Sequence, residues 1–476
     1  MGCRRPSRWI AVFVALVLAG CATARPAGTS LVTRAEERKI GRRVVAEVRR
    51  EFRIIDDPYL EAYLEGIGTR LARAMGAREF ELSFQVVADP RINAFAVPGG
   101  YIFVTSQTIL ACRDESELAG VIAHEIGHVE GRHLAHRVEK SAKVNLAAMA
   151  AILASAFLGN PKAGAALGTF ALAGAQTKML RYSREDEEDA DRRAVRALLA
   201  AGYDGWGLVR FMETLRRESP SPEGVPAYLF THPLPENREA YLASVLPRPG
   251  RAPGRGSLEG LWRAQARVLV QDPREWGERL LRERTREHPD SPAAWLGLAL
   301  LQRKAGRYDD ALSSLARAGS LAPGDPEIVH EKAAILLRQG RRDQAVALLE
   351  GLRQGGEAPL PALSELGWIY LEADQGEKAL GVYDEIARRF PGWEKLGYYR
   401  GMALGKAGRE GEGHAALGDY YRDRGRPDLA ARHYRIALER LPEGTLRDQV
   451  RKRLAELRDR GGGGRGPGQG SGPPPG

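Results

Sequence analysis

The chain has 476 residues and a formal net charge of +10 at pH 7. Because a single hydrophobic core rarely serves more than about 300 residues, this length excludes a one-core protein and predicts two folded domains with tails. The excess of Lys and Arg over Asp and Glu indicates an arginine-rich surface suited to anionic membranes or acidic polypeptides.

The first 20 residues have the pattern of an export signal. A basic start precedes an apolar stretch over residues 9–18 that is too short to span a bilayer in the mature protein. The letters LAGC, which end at Cys21, resemble a bacterial lipobox, so we expect residues 1–20 to be removed and Cys21 to be lipidated. The alternative is an ordinary secretory signal that is cleaved near residues 22–24.

Export also indicates the compartment. A lipid-anchored, exported chain lies on the periplasmic side of the envelope, and Ala22 after the cysteine, in place of aspartate, indicates the outer membrane in the lipoprotein-sorting pattern. Such a chain rarely meets nucleic acid, so we expect protein partners and a membrane anchor. Cys3 leaves with the signal and Cys21 carries lipid, so Cys112 remains alone and no intramolecular disulfide can form.

A mixed helical and β pattern follows a tether at residues 21–32. Residues 33–53 and 59–74 predict amphipathic helices, whereas residues 80–88 and 101–105 are rich in β-forming side chains and are separated by prolines and glycines. We therefore predict an α+β domain, mostly helical, in which a hairpin or small sheet precedes the next helix.

The strongest chemical signal is the HExxH motif formed by His124, Glu125 and His128. Two histidines four residues apart on a helix project from one face and can hold one zinc ion, while the glutamate reaches a metal-bound water as general base. Zinc lowers the pKa of that water and polarises the peptide carbonyl. The motif also occurs by chance in unrelated helices, so its surroundings must decide.

A catalytic zinc site needs a third protein ligand and one open position. A third histidine after the motif would have to stand at position 134, which is Leu134, and His133 is one residue short. That ligand geometry therefore fails, and we expect His133 and His136 to be structural or exposed.

A carboxylate from a second helix is the alternative third ligand. In the acidic segment over residues 181–192, Glu187 and Asp191 stand four apart on one helical face, beside the small Ala190. One of them can ligate zinc while the other orients a ligand histidine from behind. Glu188 is the competing ligand.

Two alanine-rich apolar segments, residues 146–158 and 163–175, come between the motif and the acidic segment. A break at residues 159–162 separates them, and neither reaches the roughly twenty residues that a spanning helix needs. We predict helices that flank the catalytic site, with membrane contact as the alternative.

Residues 247–257 are dense in Pro, Gly and Arg and form the predicted linker between two domains. The peptidase domain then covers residues 33–246 and the second domain residues 258–458. Residues 459–476 are mostly Gly, Pro and polar side chains, which bury little apolar surface, so we expect a disordered tail.

Helical repeats fill the second domain. Ala311, Ala345 and Ala379 recur at a spacing of 34 residues, which is the period of tetratricopeptide repeats. A further match over residues 418–442 falls half a period out of step, which leaves open whether one helix is shared or the register has slipped. We predict an all-α solenoid whose concave surface suits protein binding.

Residues 93–102, the HExxH motif and the segment from Ser183 to Asp191 together resemble the gluzincin zinc metallopeptidase family that contains HtpX and the CAAX prenyl endopeptidases. The resemblance covers residues 31–246, and with the repeats the architecture is similar to that of the periplasmic β-barrel-assembly-enhancing proteases. It implies a zincin-like fold for the α+β domain, one zinc ion per chain and five site residues: His124, His128 and Glu187 as ligands, Glu125 as catalytic base and Asp191 as support.

The same resemblance implies two further elements. His232, in a histidine-proline pair followed by Arg238, would approach the zinc as a switch or as a transition-state stabiliser. The strand that begins with Tyr101, Ile102 and Phe103 would be the edge strand along which an extended substrate lies. The lack of long spanning helices departs from the membrane-embedded members and argues against prenylated substrates.

Two functions follow from these expectations. The first is a lipid-anchored zinc endopeptidase in envelope protein quality control, which degrades misfolded or stalled outer-membrane proteins while the repeats dock substrates or the assembly machinery. The second is a chaperone-like repeat scaffold for outer-membrane protein assembly, with a latent or structural zinc site. The intact Glu125 favours the enzyme.

Overall fold

The computed structural model describes residues 33–76, 81–140, 182–217, 228, 232, 238–247 and 258–462. Internal contacts divide the chain into a first unit, Met1–Asp272, and a second unit, Pro273–Gly476. The first unit is mostly helical with one small sheet, and the second is built from helices that follow one another as repeats. The predicted fold class is confirmed.

The first unit contains, in chain order, α1 (Arg34–Glu51), β1 (Ile54–Ile55), α2 (Pro58–Met75), β2 (Ser83–Val87), β3 (Ala94–Val97), β4 (Tyr101–Thr105), α3 (Ser106–Ala111), α4 (Glu115–Glu130), α5 (His133–Lys140), α6 (Arg184–Ala201), α7 (Trp206–Arg217), α8 (Arg238–Val245) and α9 (Leu258–Gln271). Local sequence sets several helix ends. Thr33 begins α1 in a capping box with Glu36, and Gly202 ends α6 in the left-handed conformation.

The four strands form a sheet in the order β1-β2-β4-β3, with β2 parallel to β4 and β3 antiparallel to β4. Gly99 and Gly100, with φ of 90° and 91°, make the tight turn that folds β3 back onto β4. The strand with Tyr101, Ile102 and Phe103 is therefore paired on both sides. The prediction that it is an edge strand is wrong, because β1 and β3 lie at the two edges of the sheet that the described residues form.

Helix α4 runs through the core of the first unit, and α2, α6, α7 and β3 all pack against it. Two glycines allow the closest approaches. A methyl group at Gly120 would lie 2.9 Å from the Leu208 backbone, and one at Gly127 would lie 2.9 Å from the Ala190 carbonyl oxygen. The helix that carries the HExxH motif is thus enclosed by other elements nearly along its whole length.

The division between the units comes later than the sequence predicts. Helix α9 contributes Leu261 and Val268 to the core of the first unit, and the buried Gln265 amide donates to the carbonyls of Ile109 and Cys112 at 3.0 and 2.9 Å. The predicted boundary at residues 247–257 therefore lies one helix too early, because α9 buries its apolar face against the peptidase core.

The second unit contains α10 (Gly277–Glu287), α11 (Pro292–Lys304), α12 (Tyr308–Leu321), α13 (Pro326–Arg338), α14 (Arg342–Gln354), α15 (Leu360–Glu372), α16 (Gly376–Arg389), α17 (Leu396–Lys406), α18 (Glu410–Asp423), α19 (Pro427–Arg440) and α20 (Thr445–Gly462). Because α20 extends to Gly462, the first four residues of the predicted disordered tail are helical.

The half-period offset is explained by a shared helix. Helix α18 packs tightly against both α17 and α19. A methyl group at Gly413 would lie 2.7 Å from the Gly401 carbonyl oxygen, and one at Gly418 would lie 2.4 Å from the Tyr434 ring. Helix α18 therefore ends one repeat and begins the next.

Several predictions lie outside the described residues: the signal over residues 1–20, the lipidated Cys21, the tether, the apolar segments at 146–158 and 163–175, most of the linker and the tail beyond residue 462. Among the helices that the structure does describe, none combines the length and the apolar character needed to cross a bilayer.

Candidate active site

Helices α4 and α6 bring the predicted site residues together. His124 and His128 lie on α4, are at most 2% exposed, and face α6. The close contact between Gly127 and Ala190 brings the two helix backbones together, and Glu187, one turn before Ala190, then reaches the two imidazoles. The residues that stand four apart in the sequence therefore lie on the helix faces that pack against each other.

Three ligand atoms converge in this cluster. The Nε2 atoms of His124 and His128 are 3.0 Å apart, and the Glu187 carboxylate oxygens lie 3.5 Å from the first and 3.4 Å from the second. Tetrahedral zinc with bonds of about 2.0–2.1 Å separates its ligand atoms by about 3.3–3.4 Å. His232 joins the cluster, and the four ligand atoms all lie within 4.8 Å of one another.

Buried polar atoms in the cluster support the fit to a metal ion. Nε2 of His232 is buried without a well-formed hydrogen bond to any described residue, and Oε2 of Glu187 is held only by ion-pair contacts with Arg238 and His124. Buried polar atoms without well-formed hydrogen bonds are costly. A cation between the imidazoles and the Glu187 carboxylate would satisfy that carboxylate, and two imidazoles with one carboxylate are a ligand set that zinc accepts.

A buried ion-pair network lies behind the cluster. Asp191 Oδ1 is 2.9 Å from Nδ1 of His124, so His124 donates its Nδ1–H to this carboxylate and turns its Nε2 toward Glu187. Arg238, from α8, donates to Asp191 at 2.7 Å and approaches Glu187 at 2.7 Å in an ion pair. One arginine therefore faces both buried carboxylates of α6, Glu187 and Asp191.

The charges in this network determine how the carboxylates ionise. Burial raises the pKa of Glu187, but Arg238 and His232 outweigh it and hold the pKa well below its ordinary value. The pKa of Asp191 is also lowered, because Arg238 outweighs the effect of burial. Both carboxylates are ionised near neutral pH, which is the state that a ligand and its support require.

The two imidazoles differ in protonation. Burial lowers the pKa of His128 well below its ordinary value, so its ring is neutral. For His124, burial and Arg238 lower the pKa, but hydrogen bonds to Asp191 and Glu187 outweigh them and raise it to about 9. A metal ion on His124 therefore displaces a proton, and metal affinity falls as the pH drops.

Glu125 follows His124 on α4 and lies beside the same cluster. Its Oε1 lies 3.6 Å from Nε2 of His232. Burial raises the pKa of Glu125, although His232, His124 and the Ala96 backbone act in the opposite direction. A carboxylate with a raised pKa accepts a proton more readily at neutral pH than an exposed one does, as a general base must.

The structure separates the competing candidates. Glu188 and His136 are exposed and lie outside the cluster, whereas Glu187 is 1% exposed within it. His133, which was expected to be structural or exposed, is buried against His128. Arg238 had no predicted role, although two acidic residues on one buried helical face require a nearby cation.

Two tyrosines line the cluster and were missed. Tyr228 stacks on His232 with ring centroids 4.4 Å apart and an interplanar angle of 15°, and Tyr182 stacks on His128 at 3.8 Å and 23°. Neither stands in a recognisable motif, so no sequence signal marked them.

Known proteins share both parts of the chain. Residues 58–245 match the model of peptidase family M48, and residues 278–335, 302–357 and 330–392 match models of the tetratricopeptide repeat. The beta-barrel assembly-enhancing protease of Escherichia coli strain K12 is 30% identical over 366 residues, which are 73% of this chain and 72% of that protein.

Two further relatives match shorter parts of the chain. The putative beta-barrel assembly-enhancing protease of Vibrio cholerae is 38% identical over 187 residues, which are 39% of each chain. The mitochondrial metalloendopeptidase OMA1 of Schizosaccharomyces pombe is 28% identical over 186 residues, which are 39% of this chain and 52% of that protein. With the buried HExxH cluster and the repeats, these similarities lead to one conclusion: the chain belongs to peptidase family M48, as a metalloendopeptidase that also carries tetratricopeptide repeats.

Proposed function

We propose that the chain is a zinc endopeptidase whose ion is held by His124, His128 and Glu187. The observation that carries this proposal is the convergence of two imidazole nitrogens and a carboxylate in one buried cluster. When bound, zinc polarises the scissile carbonyl and lowers the pKa of a water molecule toward neutrality. Glu125 accepts a proton from the attacking water and returns it to the leaving amine.

Among the strands that the structure describes, β3 pairs with β4 on one side only, and its other side supports a place for the substrate. The Thr105 amide donates to the Asn93 carbonyl at 2.9 Å, so the alternation of the antiparallel ladder turns the backbone groups of Ala94 and Ala96 away from β4. These groups lie on the side of Glu125, whose pKa the Ala96 backbone lowers. We propose that an extended substrate pairs with this edge by main-chain hydrogen bonds.

His232 occupies the place where a reacting group would enter. Its Nδ1 lies 3.0 Å from Glu187 and 3.3 Å from Nε2 of His124, and its ring is fully buried under Tyr228. An imidazole in this position competes with the substrate for the open side of the cluster. We therefore propose that His232 is a switch that moves before a substrate binds, and not a transition-state stabiliser.

Replacing His232 by alanine is expected to raise the rate of hydrolysis of an unstructured protein on the order of tenfold. The reason is that a binding-competent state of about 10% would become the main state. The rate is measured beside the zinc content, which should stay at one ion per chain. A lower rate at full zinc content would instead assign transition-state stabilisation to His232.

Glu187 and its neighbour provide a matched test of the metal site. Glu187→Gln removes the charged ligand, so we expect zinc affinity to fall by at least about 100-fold and proteolysis to be lost with it. Glu188→Gln changes the same side chain at an exposed position and should leave both unchanged. Full zinc occupancy in the Glu187 variant would contradict the ligand assignment.

The similarity to beta-barrel assembly-enhancing proteases over 73% of the chain supports a role in envelope protein quality control. We propose that the enzyme degrades misfolded or stalled outer-membrane proteins, and that the repeats dock these substrates or the assembly machinery. The LAGC segment supports a lipid anchor at Cys21 on the periplasmic side of the outer membrane. Loss of palmitate labelling in Cys21→Ala would test the anchor.

A further inference from the structure

His133 lies directly behind the second histidine of the HExxH motif. Its Nδ1 is 2.9 Å from Nδ1 of His128, and its Nε2 is 3.3 Å from the Asp189 carboxylate. Arg193 donates to the same carboxylate at 2.6 Å. The His133 ring is 6% exposed and stands edge-on to the His128 ring. A chain of polar contacts therefore runs from Asp189 on α6 through His133 to His128.

The turn after α4 places His133 in this position. Helix α4 ends at Glu130 with Gly131 as its C-cap, and Arg132 adopts a φ of 52°, in the left-handed region, where it pairs with the buried Glu37 of α1. This reversal directs His133 back under His128. A methyl group at Gly131 would come within 2.3 Å of the His133 ring, so the glycine leaves the space that the ring occupies.

The contacts assign the protons. His133 Nε2 faces a carboxylate and must donate to it, which leaves Nδ1 of His133 as an acceptor. Nδ1 of His128 then donates to His133, and Nε2 of His128 keeps its lone pair toward Glu187. His124 receives the same orientation directly from Asp191. The two histidines of the motif thus have different supports.

We propose that His133, backed by Asp189, is a positioning residue that fixes the tautomer and orientation of His128 for metal binding. This role rests on the proposed zinc site. Histidine ligands of metals commonly donate their second N–H to a carboxylate or carbonyl, and loss of such a partner weakens metal binding. Here a second histidine relays that interaction from the Asp189 carboxylate to His128.

Three variants test this role. His133→Phe keeps an aromatic ring but removes the acceptor, so we expect zinc affinity to fall by about 10–100-fold. His133→Asn places an amide oxygen where Nδ1 was, and affinity should stay within about threefold of the native chain because the acceptor is restored. His136→Phe, at an exposed position of the same helix, is the control and should bind zinc as the native chain does.

The measurement is chelator competition for zinc on the full-length, metal-free chain, with the unfolding temperature of the metal-free chain as a check on folding. Equal affinities in the native chain and His133→Phe would overturn this role alone. So would an affinity of His133→Asn as weak as that of the Phe variant. A native chain without zinc affinity would overturn this role together with the proposed function.

Discussion

Glu125→Gln is expected to lower the rate of peptide hydrolysis by about 10²–10⁴-fold, the usual contribution of a general base. The amide has the size of the carboxylate but accepts no proton at neutral pH. Because Glu125 is not among the converging ligand atoms, zinc content should stay at one ion per chain. Degradation of an unfolded protein, measured beside metal analysis, checks both parts.

The same variant separates the enzyme from a repeat scaffold. Native rates of degradation in Glu125→Gln would contradict the general-base role. The variant can also be tested in a strain that needs this chain to assemble its outer-membrane proteins. Assembly as efficient as with the native chain would support the hypothesis of a chaperone-like scaffold. In that case zinc would hold α4 and α6 together and would not act in catalysis.

Much of this site is readable from the sequence because it depends on short-range periodicity. His124 and His128 share a face because they stand four apart on one helix, and Glu187 and Asp191 do so for the same reason. Repeats with a fixed period are equally local, since each helix packs mainly on its neighbours in the chain. In all these cases spacing alone determines which side chains can meet.

The errors arise where contacts are distant in sequence. Nothing near Tyr101 indicates that β2 pairs with β4 in parallel, and this pairing places the strand inside the sheet. Likewise, α9 looks like the start of the repeats until Gln265 is seen to donate to backbone carbonyls more than 150 residues earlier. Such pairings depend on the folded surface against which a segment packs. The periodicity of the segment contains no information about that surface.

Arg238 is the site residue whose role depends most on such long-range packing. It arrives from α8, is 4% exposed, and lies between Glu187 and Asp191. The two carboxylates and Asp191's partner His124 are also buried. Two buried carboxylates without a cation repel each other and lose hydration, so the arginine balances the site whenever its metal ion is absent.

Arg238→Met is therefore expected to destabilise the metal-free chain by about 3–5 kcal/mol, the cost of leaving buried carboxylates uncompensated. Zinc should recover part of this loss, because the cation supplies positive charge beside Glu187. Urea unfolding of the first unit gives the free energy of unfolding. Measured once with chelator and once with excess zinc, it reports both effects.

Arg267→Met is the matched control. Arg267 is also buried and forms an ion pair with Asp57 at 3.1 Å, but it lies outside the metal-binding cluster. Its loss should destabilise the chain to a similar extent with and without zinc. If Arg238→Met lowered the free energy of unfolding equally with and without zinc, the arginine would act only as a partner in a structural ion pair. A zinc-dependent cost for Arg238 alone would show that arginine and metal share the neutralisation of the same carboxylates.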